Sequence, residues 1–319
     1  MPETMTTWQS FAPAISEIYL VAAICLILLV DAFAGQTRRG LTPTLTLIVL
    51  AVGAALTVAF ANVSHSAILF DGMYVADGLA YVLKLFGYLF VAFGLLYSRD
   101  YLEERGILRG EYYVLALTAL LGIFVLVSAN SMLTVYLGVE LLALSVYAMA
   151  AFDRDSGVAA ESAMKYFVLG AIGSGTLLYG MSMIYGMTGT LNLEEIAQRL
   201  QEPPNLGVTI GLVFVVVAVA FKLGAVPFHM WLPDVYQGSP TSVTLFIGTA
   251  PKIAYFALTL RLLAHGLGGA VVEWSQMLGA LAVLRNRTCS NSARTQCRGG
   301  KGNAASLRRT APSTPLRAG

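Results

Sequence analysis

The chain is a succession of apolar runs, each close to 20 residues long and separated by short polar stretches. About 20 apolar residues are what an α-helix needs to cross the hydrocarbon layer of a bilayer. Nine runs of this kind can be read, at 12–34, 41–60, 78–97, 112–129, 131–152, 160–186, 207–226, 241–263 and 268–284, the last of them short. Backbone in lipid must pair its own polar groups, which leaves helices or closed barrels, and these runs do not alternate as barrel strands would. The sequence therefore predicts an all-α, polytopic transmembrane helix bundle of about nine spans. Composition agrees. The chain is 57% hydrophobic and 12% charged, against about 25% charged in a soluble domain. Its surroundings are lipid bilayer and protein, with no nucleic-acid partner.

The net charge of +2 hides two chemistries. Residues 1–284 hold 12 basic and all 18 acidic residues; residues 285–319 hold 8 basic residues and no acid. The second stretch, RNRTCSNSARTQCRGGKGNAASLRRTAPSTPLRAG, has no apolar period and cannot bury a core. Two domains are thus expected: a transmembrane bundle over 1–284 and a basic tail over 285–319. The apolar run LGALAVL stops abruptly before that tail. A truncated or frame-shifted end is therefore favoured over a disordered tail, and the coding DNA after Leu284, translated in the other two frames, separates the two. Cys25, Cys289 and Cys297 show no metal or disulfide spacing. The first residues lack a basic n-region and do not read as a cleaved signal peptide.

Arginine sets the orientation. Arg38, Arg39, Arg99, Arg105, Arg109 and Arg154 fall after the first, third and fifth runs, whereas the opposite loops offer only Arg199 and Arg261. The N-terminus is expected outside. A short amphipathic helix is expected on the outer face within GTLNLEEIAQRLQEPPNL.

Lysine is used differently. Apart from Lys301 in the tail, every lysine, namely Lys84, Lys165, Lys222 and Lys252, falls inside an apolar run. Arginine stays protonated in proteins, but a buried lysine can lose its proton near neutral pH. Glu140, in SMLTVYLGVELLALSVYAMA, is the matching carboxylate. Each charge at the bilayer centre costs about 2.5–3.5 kcal/mol on insertion scales. Glu140, Lys165, Lys222 and Lys252 are therefore expected to face the bundle interior and to pair with one another or with water. The plainer alternatives are a static Glu140–Lys222 ion pair and, for Lys84 near the start of its run, snorkelling to the interface. Asp71 and Asp77, flanking the third run, read as solvated.

The stretch FKLGAVPFHMWLPDVYQGSP adds Pro227, Pro233 and Pro240 directly after an apolar run. Interior proline breaks a helix, and broken helices at membrane depth mark ion and binding sites in transporters. Lys222 precedes the break; His229 and Asp234 lie in or after it. His229 is either a proton relay or a structural hydrogen-bond donor. TAPKIAYF, with Pro251 beside Lys252, reads as a second break.

KLGAVPFHMWLPDVYQGSPTSVTLFIGTAPKIAYFA closely resembles the central signature of the antiporter-like subunits of proton-pumping NADH–quinone oxidoreductase, respiratory complex I. The form FHMWLPDVYQGSP followed by APK is more similar to subunit N than to its sisters L and M. YLGVELLALSVYAMAAF, ESAMKYFVLGAIGSGTLLYGMSMIYGMTGTLNL and VEWSQMLGALAVL fit the same subunit, so the resemblance covers most of 11–284. It implies two inverted five-helix repeats, each with a broken helix, in a chain of about fourteen helices. The present sequence matches the N-terminal helices and the first repeat, which would amount to one half-channel. The resemblance also implies proton translocation by Glu140, Lys165, Lys222 and Lys252, with Lys165 beside Lys222 and Lys252 relaying onward. No redox centre is implied in this chain; NADH, FMN, iron–sulfur clusters and quinone would be used by other subunits. The implied partners are the other membrane subunits of the complex. The implied location is a bacterial inner membrane, with the N-terminus periplasmic. A subunit of a multi-subunit cation/proton antiporter is the alternative, and a purely structural membrane scaffold is a third reading.

Overall fold

The computed structural model describes residues 11–34, 40–61, 66–200 and 205–286. The tail from residue 287 onward, and Arg38 and Arg39, lie outside the described residues. The chain is a bundle of helices: α1 (Ile15–Ala34), α2 (Leu41–Phe60), α3 (Gly78–Glu104), α4 (Gly110–Val127), α5 (Met132–Ala150) and α6 (Gly157–Thr188), then the short α7 (Leu193–Arg199), α8 (Leu206–Leu223), the short α9 (Trp231–Gly238) and α10 (Thr241–Leu258). A π-helical turn, Thr259–Gly266, prolongs α10, and residues 271–286 form α11. Among the described residues, eight helical stretches are long and apolar enough to cross a membrane. The ninth predicted run is helical in α11, but its described part falls short of the roughly 20 residues a crossing needs.

One departure from the all-helical expectation is a β-hairpin between α2 and α3. Strands β1 (Ala67–Leu69) and β2 (Tyr74–Ala76) pair antiparallel, Ala67 opposite Ala76 and Leu69 opposite Tyr74. The turn places Phe70, Asp71 and Gly72 at positive φ. Asp-Gly between alternating residues is a strong hairpin signal, here hidden among the longer apolar runs. Bridges Tyr74–Ala129 and Ser131–Asn192 gather this hairpin, the α4–α5 loop and the α7 segment on one side of the bundle. The expected amphipathic helix is α7. Asn192 caps it by accepting from the N–H groups of Glu194 and Glu195, and Leu193 and Ile196 are its buried face. The opposite side carries Arg99, Arg105, Arg109 and Arg154.

The helices approach closely through small residues, as transmembrane helices do. A Cβ on Gly122 would lie 2.6 Å from the Leu142 backbone nitrogen, and one on Gly138 would lie 2.8 Å from that of Leu126, so α4 and α5 pack backbone to backbone. The same holds for α6 and α8, where Gly180 and Gly211 face each other's carbonyl oxygens at 2.8 and 2.9 Å from an added Cβ.

The chain is interrupted ahead of the first proline cluster, where the sequence predicts a break, although a glycine makes the stop. Helix α8 ends at Gly224 in the left-handed conformation, with Ala225 N–H bonded to the Ala220 carbonyl at 2.8 Å and Gly224 N–H to the Phe221 carbonyl at 3.0 Å. That pair of bonds is a Schellman stop. The second expected break is absent. Pro251 is buried inside α10, which stays helical from Thr241 to Leu258. Packing against α3, α4 and α5 holds α10 together across the missing N–H.

Candidate functional site

Lys222 occupies the last turn of α8 and is 3% exposed. Its ammonium donates to Ser174 Oγ on α6 at 3.0 Å. The helices can come this close because α6 reads GAIGSG here: an added Cβ on Gly173 would meet the Phe221 ring at 2.7 Å. Glu140, in the middle of α5, acts electrostatically on Lys222 and also on Tyr147 and Tyr255. Its Oε1 is buried without a hydrogen-bond partner. Among the described residues no direct ion pair joins Glu140 to Lys222. The expected pair is therefore an arrangement at a distance, with one carboxylate oxygen open.

Lys252, half-buried on α10, donates to the carbonyl of Leu223 at 3.2 Å. Trp231 Nε1 donates to the Phe221 carbonyl at 3.1 Å and stacks on Tyr166 at 4.8 Å. The carbonyls freed where α8 stops thus go to a lysine, an indole and the Schellman N–H groups. The Lys252 amine thus sits at the negative end of that helix dipole, where cations are favoured. His229 lies in the turn between α8 and α9, its Nδ1 buried without a partner. Where α8 stops, the backbone is held by side chains from α10 (Lys252) and α9 (Trp231).

Two lysines are not where the sequence put them. Lys165 does not face the interior beside Lys222. Its side chain is 46% exposed and pairs with Glu161, one turn back on α6, at 2.9 Å and with Asp234 on α9 at 3.1 Å. Helix α9 lies against the outside of α6, where an added Cβ on Gly238 would meet Ser162 at 2.4 Å, so the acidic partner is offered at the surface. Lys84 does not snorkel. It is fully buried, with Glu17 Oε1 at 2.6 Å and the Tyr74 hydroxyl at 2.9 Å. Tyr74 of the hairpin and Glu17 of α1 close over it.

Asp77 is likewise not simply solvated. It caps α3 by accepting from Ala80 N–H and takes a two-point bond from Arg261, at 2.7 and 2.8 Å. Burial works to raise its carboxyl, but the Arg261 and Ala80 bonds prevail and hold it below the usual value. Arg261 also donates to the Val127 carbonyl at 3.0 Å, tying the π-helical turn to the ends of α3 and α4. Burial, reinforced by the Glu17 charge, pushes the Tyr74 phenol well above its ordinary value.

Glu17, Ser174 and the Asp77–Arg261 clamp escaped the sequence reading. Ser174 carries no signal beyond lying in a glycine-rich helix. Glu17 carried one: it and Lys84 are opposite charges near the starts of two runs that enter from the same side.

A profile of the family described as "NADH:quinone oxidoreductase/Mrp antiporter, TM" matches residues 129–295, which span α5 to α11 and hold Glu140, Lys165, Lys222, His229 and Lys252. The chain belongs to this family. Among curated relatives, NADH-quinone oxidoreductase subunit N of Thiobacillus denitrificans is 57% identical over 279 residues, covering 86% of this chain and 57% of that protein. The subunit N of Thioalkalivibrio sulfidiphilus is 52% identical over 277 residues, covering 86% and 58%. The chain thus spans somewhat more than half the length of these relatives. Among solved structures, a chain of respiratory complex I from Thermus thermophilus matches at 32% identity with a TM-score of 0.65, covering 77% of this chain and 52% of that one. A chain of the Mrp complex from Dietzia shares the fold, at 22% identity and a TM-score of 0.65, over 82% and 49%. Family members therefore work inside multi-subunit membrane complexes, in keeping with a bundle whose outer faces are apolar.

Proposed function

We propose that this chain is part of a proton-translocating membrane subunit of an NADH–quinone oxidoreductase, the antiporter-like subunit N, and that Glu140 and Lys222 are its switch. The observation that carries this reading is the open, buried carboxylate oxygen of Glu140 within electrostatic range of an amine that holds one neutral hydrogen bond. A buried charge left short of partners is costly, so such a pair responds strongly to any nearby change in field. When Glu140 is charged, it stabilises the protonated amine of Lys222; when its charge is displaced or neutralised, Lys222 releases its proton. Lys252, at the carbonyl end of α8, is the onward acceptor. His229 is the relay in the interrupted segment. Lys165 acts from outside the core, through Asp234, on the position of α9. Energy comes from quinone reduction in other subunits, which carry the flavin, the iron–sulfur clusters and the quinone site.

The same reading places the protein in a bacterial inner membrane with the hairpin side outward and the N-terminus periplasmic, on the arginine bias of the opposite loops. Glu140→Gln in the full-length chain, assayed in the assembled complex, is expected to lower proton translocation and coupled quinone reduction by about 10²-fold, within the range for a positioned proton-transfer group. Undiminished activity in both assays removes the mechanism. The family also includes Mrp-type antiporters, so a cation/proton antiporter subunit is the second reading. Co-purification with flavin and iron–sulfur proteins favours the first, and their absence the second.

A further inference from the structure

We propose that Glu17, Tyr74 and Lys84 form a second proton-exchange site, on the hairpin side of the bundle and outside the segment that holds Glu140 and Lys222. This rests on the reading of the chain as a proton-translocating subunit. An ionisable residue inside a membrane protein is a functional candidate by default, and here the partner is in place. Lys84 Nζ lies 2.6 Å from Glu17 Oε1 and donates to the Tyr74 hydroxyl at 2.9 Å. The Tyr74 hydroxyl reaches the same Glu17 oxygen at 3.1 Å and the Pro13 carbonyl at 3.1 Å. Ser16 Oγ donates to the other Glu17 oxygen at 2.7 Å.

The pair is asymmetric. Lys84 is fully buried, whereas Glu17 keeps 12% of its side chain exposed, so the carboxyl is the group that meets the surface. Further in, one turn along α3, the buried Tyr88 hydroxyl meets Thr57 of α2, so buried polar groups lie on the inner side of Lys84 as well. Stability does not demand the pair, because apolar residues of similar volume commonly serve a buried site as well or better. The choice of cation is also informative. A few residues away the fixed clamp on Asp77 uses arginine in two-point geometry, but this site uses lysine, the cation that can be neutral. The other charged and titratable groups facing Lys84 are Asp77 and Tyr81 of α3 and Arg261 of the π-helical turn.

The step is a proton transfer. The N–H bond of Lys84 breaks and an O–H bond forms on Glu17 Oε1, turning the ion pair into a neutral amine and a neutral acid. Glu17 then releases the proton to water at the surface, and Lys84 takes another from the interior.

The test uses the full-length chain in its membrane complex, reconstituted in vesicles, and reads protons moved per electron transferred. Lys84→Arg keeps the charge and the partner but cannot give up its proton. The double change Glu17→Gln with Lys84→Met removes both charges at nearly constant volume. Both are expected to assemble and to lose at least half of the proton-to-electron ratio. A native ratio in both overturns the site, as does a double variant that restores assembly lost in Lys84→Met together with a native ratio. Where neither variant assembles, Tyr74→Phe, which leaves the ion pair intact, decides: a lowered ratio supports the site and a native ratio overturns it. Glu140→Gln, measured alongside, reports on the first site alone, so either proposal can fall while the other stands.

Discussion

Helices α8 and α10 carry the same local signal, a lysine near a proline in an apolar run, and they end up as different objects. Lys222 is followed five residues later by Pro227, and the chain stops, turns and restarts as α9. Lys252 directly follows Pro251, and α10 runs on for two further turns. The proline is not what decides. Helix α8 stops at Gly224, three residues before Pro227, because glycine takes the left-handed conformation and completes the Schellman bonds. Helix α10 also has a glycine three residues before its proline, Gly248, yet that glycine stays helical, because the helix's neighbours hold it in one piece. A helix at membrane depth therefore breaks where two things coincide, a residue that can reverse the backbone and side chains that can take up the freed carbonyls.

This contrast assigns unequal roles to the two lysines. Lys222 is buried with one neutral partner, Ser174, and feels the carboxylate of Glu140. In Lys222→Met within the full-length complex, proton translocation is expected to fall by ~10²-fold or more, on the scale of losing a positioned proton-transfer group. Lys252→Met loses a single bond, to the Leu223 carbonyl, from a half-buried amine, so a smaller loss, about tenfold, is expected. Initial rates of vesicle acidification, normalised to the amount of assembled complex, rank the two. Equal losses would show that the broken and unbroken helices serve the same step and would dissolve the distinction.

Gly224 tests the break itself. It sits at φ +69°, and an added Cβ would lie 2.3 Å from Leu232 Cδ1. A left-handed alanine costs about 1–2 kcal/mol, and the leucine must also move. Gly224→Ala is expected to destabilise the α8–α9 turn by about 1–3 kcal/mol, visible as a lower Tm of the purified complex. A several-fold loss of translocation should accompany it, because Lys222 is two residues away. Normal stability would mean that the turn tolerates an L-residue, and the account of the break would need another cause.

Much of this was legible in the sequence, and the failures have physical causes. The spans were plain because lipid demands length and apolarity. The prolines announced the interruption, but Gly224, where the helix actually stops, went unread. Lys222 and Lys252 were found because amines in apolar runs are costly. What failed was direction. Lys165 and Lys222 both lie in apolar runs, yet one is buried against Ser174 and the other is exposed beside Asp234. Which side of a helix faces the core depends on its neighbours, and these apolar runs are greasy all round, so they carry little amphipathic pattern to read. Lys84 was misplaced for a related reason. The hairpin that covers it is built from two three-residue strands, too short to stand out from a loop.

The smallest effect belongs to Pro251. Replacing it with alanine restores the N–H that α10 lacks at this position and offers a bond to Ile247, worth about 1 kcal/mol net. It also removes part of a buried ring, at a cost of about 1 kcal/mol in packing. The two nearly cancel, so Pro251→Ala should shift stability by about 1 kcal/mol or less and leave proton translocation close to native. Thermal unfolding of the assembled complex and vesicle acidification measure both. A tenfold loss of translocation with unchanged Tm would be the informative failure. It would mean that α10 breaks at Pro251 during turnover, and that the helix continuous here is, like α8, an interrupted one in another state.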